Sequence, residues 1–173
     1  MLGKVLTQDF YTRSAQEVAP ELLGKFLVRE KEGEKKALAI TEIEIYDGEQ
    51  DEASHAQAGK TERTEVMYEE GGVWYVYLCY GIHFLLNIVV GEENYPAAIL
   101  IRGLEGFPGP GKLTKELKID KSLNKKEAHK SSGLWIEDRG VHIPKKHIIK
   151  TPRIGIKYAG EPWRSKKWRL VVQ

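Results

Sequence analysis

Cysteine is almost absent from this chain, with Cys79 alone in 173 residues. That excludes an internal disulfide and fits a reducing compartment. Long hydrophobic runs are missing too. No stretch approaches the roughly 20 residues of a membrane-spanning helix, and the Met1–Gln8 start lacks the apolar region of a secretory signal. A soluble, cytoplasmic protein with no membrane partner is expected. The histidines and the cysteine never fall into His-Glu-x-x-His or paired-cysteine spacing, and His142 and His147 have no third ligand in sequence. No metal and no cofactor are therefore expected. A Gly-rich phosphate loop and a Gly-x-Ser-x-Gly elbow are also missing, which leaves serine or cysteine nucleophiles without support. Without repeats, low-complexity tracts or long linkers, residues 1–173 are expected to form one domain.

What is present is an uneven charge. The formal net charge is +2, yet residues 1–106 carry 10 Lys+Arg against 19 Asp+Glu, a net of −9. Residues 107–173 carry 17 against 6, a net of +11. Such a split fits a basic face aimed at a polyanion, and equally a mixed-charge solvated surface. Charge alone leaves both open.

Ser14-Ala-Gln-Glu17 reads as a capping box opening a helix, with Gly24 as its C-cap and Pro20 kinking or splitting it. Strands are expected at Phe26–Arg29 and, beyond a Gly33-centred turn, at Ala37–Tyr46, where isoleucines alternate with Glu42, Glu44 and Tyr46. Val73–Tyr80, Phe84–Val90 and Ala97–Leu104 follow, the first two as a hairpin. Basic helical segments are expected near Lys112–Ile119 and Lys125–Ser131, and a last strand pair at Arg153–Tyr158 and Lys167–Val172. Strands cluster before helices and hairpins dominate, which gives an α+β fold around an antiparallel sheet.

The informative residues are polar groups inside apolar strands, because burying them costs a few kcal/mol unless something uses them. Glu44 sits between Ile43 and Ile45, Asn87 interrupts Phe-Leu-Leu-Asn-Ile-Val-Val, and Arg102 interrupts Ala-Ala-Ile-Leu-Ile-Arg-Gly-Leu. The three converge on one pocket, near Tyr46 and Tyr77, or else Glu44 and Arg102 form a structural ion pair. His55 lies in a loop beyond Tyr46. Tyr80, at a Gly turn, projects from a hairpin tip, either as a packing residue or as a wedge entering DNA.

Seven segments fall in a telling order: Ile40-Thr-Glu-Ile-Glu-Ile-Tyr-Asp-Gly, Asp51-Glu-Ala-Ser-His55, Arg63-Thr-Glu-Val-Met67, Tyr75-Val-Tyr-Leu-Cys-Tyr-Gly81, Leu86-Asn-Ile88, Ile99-Leu-Ile-Arg-Gly-Leu-Glu105 with Gly109-Pro-Gly-Lys-Leu113, and Arg153-Ile-Gly-Ile156. From about Leu6 onward the chain resembles the alkyladenine (3-methyladenine) DNA glycosylase family of the mammalian type. The resemblance implies a single domain with a curved antiparallel sheet and peripheral helices. It implies double-stranded DNA containing damaged purines as partner, base flipping, and hydrolysis of the N-glycosidic bond by a monofunctional enzyme acting as a monomer. Carried over, Glu44 is the general base, and Arg102 helps hold the nucleophilic water, with the Ile156 carbonyl as a third ligand. Tyr46 is one wall of the base pocket, His55 and Tyr77 the other, and Asn87 disfavours guanine's exocyclic amine. Tyr80 intercalates, while Lys60, Thr61, Lys112 and Lys121 touch the DNA backbone.

The chemistry suits these residue types. An ionised carboxylate both stabilises an oxocarbenium-like sugar and takes a proton from water. A purine methylated on a ring nitrogen is already a cationic leaving group and departs as a neutral base, so one carboxylate serves where sugar hydrolases commonly use two. No lysine matches a catalytic position, which argues against a Schiff-base lyase. The chain departs from the family in its short connection between Arg102 and Gly109, where a longer helical, arginine-bearing segment is usual. His83, just past the Tyr80 turn, is a second departure. The competing readings are a non-catalytic nucleic-acid-binding module of the same fold and a hydrolase of free nucleosides.

Overall fold

A computed structural model describes residues 2–173. In chain order the elements are β1 (Lys4–Val5), α1 (Gln8–Tyr11), α2 (Ala15–Leu22), β2 (Phe26–Lys31), β3 (Glu34–Asp47), β4 (Trp74–Cys79), β5 (His83–Val89), β6 (Ala97–Leu104), β7 (Phe107–Pro108), α3 (Pro110–Glu116), β8 (Leu134–Asp138), β9 (Ile148–Thr151) and β10 (Arg169–Val172). All strand pairs are antiparallel, in one open sheet ordered β1-β8-β2-β3-β6-β5-β4, with β10 bridging β3 and β9. The fold is α+β, mostly strand with peripheral helices. Among the described residues no helix is long and apolar enough to cross a membrane.

The capping box forms as its sequence dictates: the Glu17 carboxylate accepts from the Ser14 amide at 3.2 Å and the Ser14 hydroxyl at 2.6 Å. Of the two outcomes expected at Pro20, a kink or a split, the split does not occur: α2 is continuous. The missing N–H would have paired with the carbonyl of Gln16, which is exposed to water, so little is lost. Burial of Ala15, Val18, Ala19 and Leu22 holds the helix on the sheet, at about 1.5–3 kcal/mol for each of the larger two. Gly24, with φ +84°, lies one residue beyond the C-cap Leu23.

The strand β3 organises the rest. Glu32 and Gly33 both take positive φ, the signature of a two-residue hairpin turn, and return the chain from β2. Strict alternation would put Ile40 and Ile43 on opposite faces, yet both are in the main core. A register irregularity at Thr41–Glu42 against Arg102–Gly103 of β6 reconciles them. Beyond it, Ile43 and Ile45 face the core while Glu42, Glu44 and Tyr46 share the other face. The short 103–108 connection closes as a hairpin between β6 and β7, with Gly106 at φ +80°.

Two expected elements are corrected. Lys125–Ser131 is not an α-helix; only its end, within Lys130–Ser132, makes a single 3-10 turn. Of its residues only Ala128 is buried, so a helix there would have no apolar stripe to bury. Instead the segment lies along the outer edge of β4, where Trp74 exchanges backbone bonds with Lys125 and Lys126 and the Asn124 amide oxygen accepts from Val76. Arg153–Tyr158 is turn rather than strand, because Gly155 takes φ +75° and Arg153 is drawn into the interior. β10 pairs instead with β9 and, on its other edge, with β3. The apolar run of β8 is an additional strand between β1 and β2.

Candidate active site

One line of side chains crosses five strands. Arg169 lies opposite Glu44, Glu44 opposite Leu100, Leu100 opposite Asn87, and Asn87 opposite Tyr75. Directly opposed residues point to the same face of a sheet. The polar interruptions therefore emerge together, on the face away from the isoleucine core. Asn87 and Arg102 line a cavity of about 770 Å³ whose wall also includes Tyr46, His55, Tyr77 and Ile156.

Glu44 is completely buried and stands behind that wall. Its Oε1 accepts from the Tyr46 hydroxyl at 2.9 Å and lies 3.6 Å from Arg102 Nη1. Its Oε2 accepts from the Ile154 backbone N–H at 2.6 Å. Burial pushes the carboxyl pKa above the ordinary glutamate value, against the pull of Arg102, the Ile154 amide and Tyr46. Burial and the neighbouring Glu44 raise the Tyr46 hydroxyl well above a free tyrosine, so it stays protonated and donates.

The facing wall is aromatic. His55 meets Tyr77 edge-on at 4.6 Å between ring centroids, and its Nδ1 is 2.9 Å from the Tyr75 hydroxyl. Burial, helped by Arg63, pushes His55 down to about 4, leaving it neutral near pH 7. The Arg63 guanidinium lies 5.1 Å from the centre of the Tyr77 ring. Asn87 donates through Nδ2 to the Tyr75 carbonyl at 3.1 Å, which fixes the amide. The Ile156 carbonyl accepts from the Ala159 N–H at 2.9 Å, so one of its lone pairs is already engaged.

An ion pair not assigned from the sequence underlies this arrangement. Arg153 grips Asp51 with both terminal nitrogens, at 2.7 and 2.9 Å, donates to the Ile45 carbonyl at 2.9 Å, and stacks 4.8 Å from the Tyr46 ring centre. Asp51 also accepts from the amides of Asp47 and Ala53. The clamp holds the 153–156 turn against β3, which brings the Ile154 N–H onto Glu44. Both residues belong to recognisable segments, but they are 102 positions apart, and no spacing rule pairs them.

At the cavity mouth Tyr80 is 93% exposed and takes φ +50° at the tip of the β4–β5 hairpin. Leu78, Ile82, Ile154 and Tyr158 are exposed as well, an apolar rim of the kind that marks a contact surface. The His83 ring rests against the backbone of Gly111, where a side chain would collide with it at 2.7 Å. It therefore ties the hairpin to α3. Lys112 is exposed on the rim, whereas Lys60, Thr61 and Lys121 are exposed but do not line the cavity. Among the described residues no three His, Cys, Asp or Glu side chains come together as a metal site.

A model of the methylpurine-DNA glycosylase family matches residues 9–108 and 106–173. The chain belongs to this family. Among its relatives, each named "Putative 3-methyladenine DNA glycosylase", one from Methanocella arvoryzae is 42% identical over 184 residues, covering 92% of this chain and 90% of the relative. One from Psychrobacter cryohalolentis is 40% identical over 200 residues, covering 98% and 92%. One from Borreliella burgdorferi is 38% identical over 176 residues, covering 95% and 94%. Membership in a DNA glycosylase family implies a hydrolase of N-glycosyl bonds with DNA as its substrate.

For such a glycosylase the charge asymmetry takes on a different meaning. Acidic residues of the first 106 positions pair across the fold with basic residues of the remainder: Glu32 with Lys118, Glu42 with Arg169, Asp51 with Arg153, Glu65 with Lys125. Part of the basic third is thus consumed within the protein. Lys112 and Lys121 are exposed and form no ion pair among the described residues.

Proposed function

We propose that the protein flips alkylated or otherwise damaged purine nucleotides out of duplex DNA and hydrolyses their N-glycosidic bond, leaving an abasic site. The observation that carries this reading is the buried Glu44 carboxylate joined to Arg102 at the wall of an aromatic cavity large enough for a base. Arg102 binds a water one hydrogen bond from Glu44. The water oxygen bonds to C1′ of the sugar, its proton passes to Glu44, and the electron pair of the broken bond leaves with the base. Neutral His55, Tyr77 and Tyr46 enclose the purine, and Asn87 crowds the edge where guanine carries its amine. Tyr80 enters the duplex in place of the flipped base. Among the described residues the only lysine on the cavity wall is Lys112 at its rim, which supports a monofunctional enzyme over a Schiff-base lyase. The 1–173 chain acts as one domain.

The deciding experiment incubates duplexes carrying 3-methyladenine, 7-methylguanine, hypoxanthine or an etheno adduct, then splits abasic sites with alkali. Release of at least one lesion, with strand breakage only after alkali and undiminished by prolonged EDTA, is expected. Breakage without alkali would point to a lyase, EDTA loss restored by zinc or magnesium to a metal enzyme, and no release from any lesion would overturn the reading.

The rim makes separable contributions. Tyr80→Ala gives up base stacking worth about 1–3 kcal/mol and weakens lesion binding with its salt dependence intact. Lys112→Ala and Lys121→Ala weaken binding to damaged and undamaged DNA alike, each lowering the slope of log affinity against log salt by about one. A changed slope for Tyr80→Ala with unchanged slopes for the lysines would mean the DNA-facing surface lies elsewhere.

A further inference from the structure

Arg102 is shared. Its Nε donates to Glu42 Oε1 at 3.1 Å, while its Nη1 lies 3.6 Å from Glu44 Oε1. The same Glu42 oxygen accepts from Arg169 Nε at 2.6 Å, and Arg169 Nη1 donates to the Thr151 hydroxyl at 3.0 Å. Two carboxylates and two guanidiniums thus alternate in the order Arg169, Glu42, Arg102, Glu44. The backbone is shaped for this. The register irregularity of β3 and β6 falls at Glu42 and Arg102, and a side chain on Gly103 would stand 3.1 Å from Glu42 Cβ. Glycine there lets Glu42 lie close against β6.

An arginine with long free rotors is a poor holder of a single water. Fixing its Nε leaves the terminal nitrogens to face Glu44 and the cavity. We propose that Glu42, held by Arg169, is a positioning residue that holds the guanidinium of Arg102 at a set distance from Glu44, with a terminal nitrogen left to face the attacking water. The proposal rests on the glycosylase reading above and adds a role to two side chains outside the cavity wall.

The two neighbours act on Glu44 with opposite sign. Its other charged or titratable surroundings are Tyr46 on its own strand, Arg153 from the 153–156 turn, Tyr77 from β4 and Tyr158. Neither Glu42 nor Arg169 shares a hydrogen bond or ion pair with any of these four. Glu42→Gln removes a nearby anion and releases Arg102 toward Glu44, so both effects favour ionised Glu44. Arg169→Gln removes a cation and leaves Glu42 to draw Arg102 away, so both effects disfavour it.

The test is the single-turnover rate of base release against pH, on the lesion the wild-type protein cleaves best, together with lesion-DNA affinity and melting temperature. Expected for both variants is a plateau rate at least tenfold lower with affinity within about threefold. The acidic limb should move to lower pH for Glu42→Gln and to higher pH for Arg169→Gln. A merely structural role would lower the melting temperature and leave the limb in place. An active wild type whose variants keep the limb, or shift it the same way, overturns the positioning role alone. If Glu42→Gln fails to fold, Arg169→Gln decides by itself. A wild type that releases no base sinks the parent reading and this one with it.

Discussion

Glu44→Gln is expected to abolish base release, by about 100- to 10,000-fold in single-turnover rate, while lesion-DNA affinity stays within a few fold. The amide keeps the shape of the carboxylate and can still be satisfied. Its oxygen accepts from the Ile154 N–H, and the Tyr46 hydroxyl turns to accept from its NH₂. What it loses is the capacity to take the water proton. The buried carboxylate carries a raised pKa because burial outweighs its partners, so removing the charge also removes a desolvation penalty. The variant should therefore melt no lower than the wild type at neutral pH. The same shift sets the pH dependence of the wild type. Glu44 must be ionised to act, so activity falls as pH drops through a pKa above the ordinary glutamate value. Near-normal turnover by the glutamine variant would remove Glu44 from the mechanism.

The largest effect on stability is expected at the Asp51–Arg153 pair, whose side chains are both fully buried. Asp51→Ala leaves a guanidinium without its counter-charge and strips the Asp47 and Ala53 amides of their acceptor. Breaking one side of a buried pair costs about 3–5 kcal/mol, and each kcal/mol is worth roughly 2–4 °C at this chain length. A fall in melting temperature of roughly 10 °C is expected. Base release should fall with it even well below the melting point, because the turn that presents Ile154 loses its anchor. The double variant Asp51→Leu with Arg153→Met should recover much of the stability and little of the activity. An Asp51→Ala protein melting within about 2 °C of wild type would show that the pair is not the clamp described.

How much of this could be read from the residues depends on where the deciding contact lies. Strands β2 to β6 were legible because apolar alternation is local, and Glu44, Asn87 and Arg102 stood out as polar breaks in it. Their convergence follows from register, which puts Glu44, Leu100 and Asn87 side by side. Ile154 and Ile156 mimic a strand in sequence, but the buried Arg153 and the positive φ of Gly155 make a turn, and Asp51 lies too far away in sequence to announce it. Lys125–Ser131 has helical composition without an apolar stripe, so pairing to the β4 edge wins over propensity. Alternation places Glu42 on the face of Glu44 and Tyr46, with no role of its own. Only the irregularity opposite Gly103 shows that it faces Arg102.

The long strand β3 pairs with β2 along its first part and with β6 and β10 on its two edges around Glu44. Backbone amides in such a position exchange with solvent only when most of the protein opens. The hairpin tip that carries Tyr80 lies at the far margin of the same sheet with residues 80–83 all exposed, the kind of segment that opens through small local fluctuations. The reacting end of the pocket is therefore built into the most persistent part of the fold, and the probing end into one of the least. On the proposed function, Tyr80 samples many base pairs without disturbing the carboxylate, and Glu44 and Arg102 are already in place when a damaged nucleotide arrives.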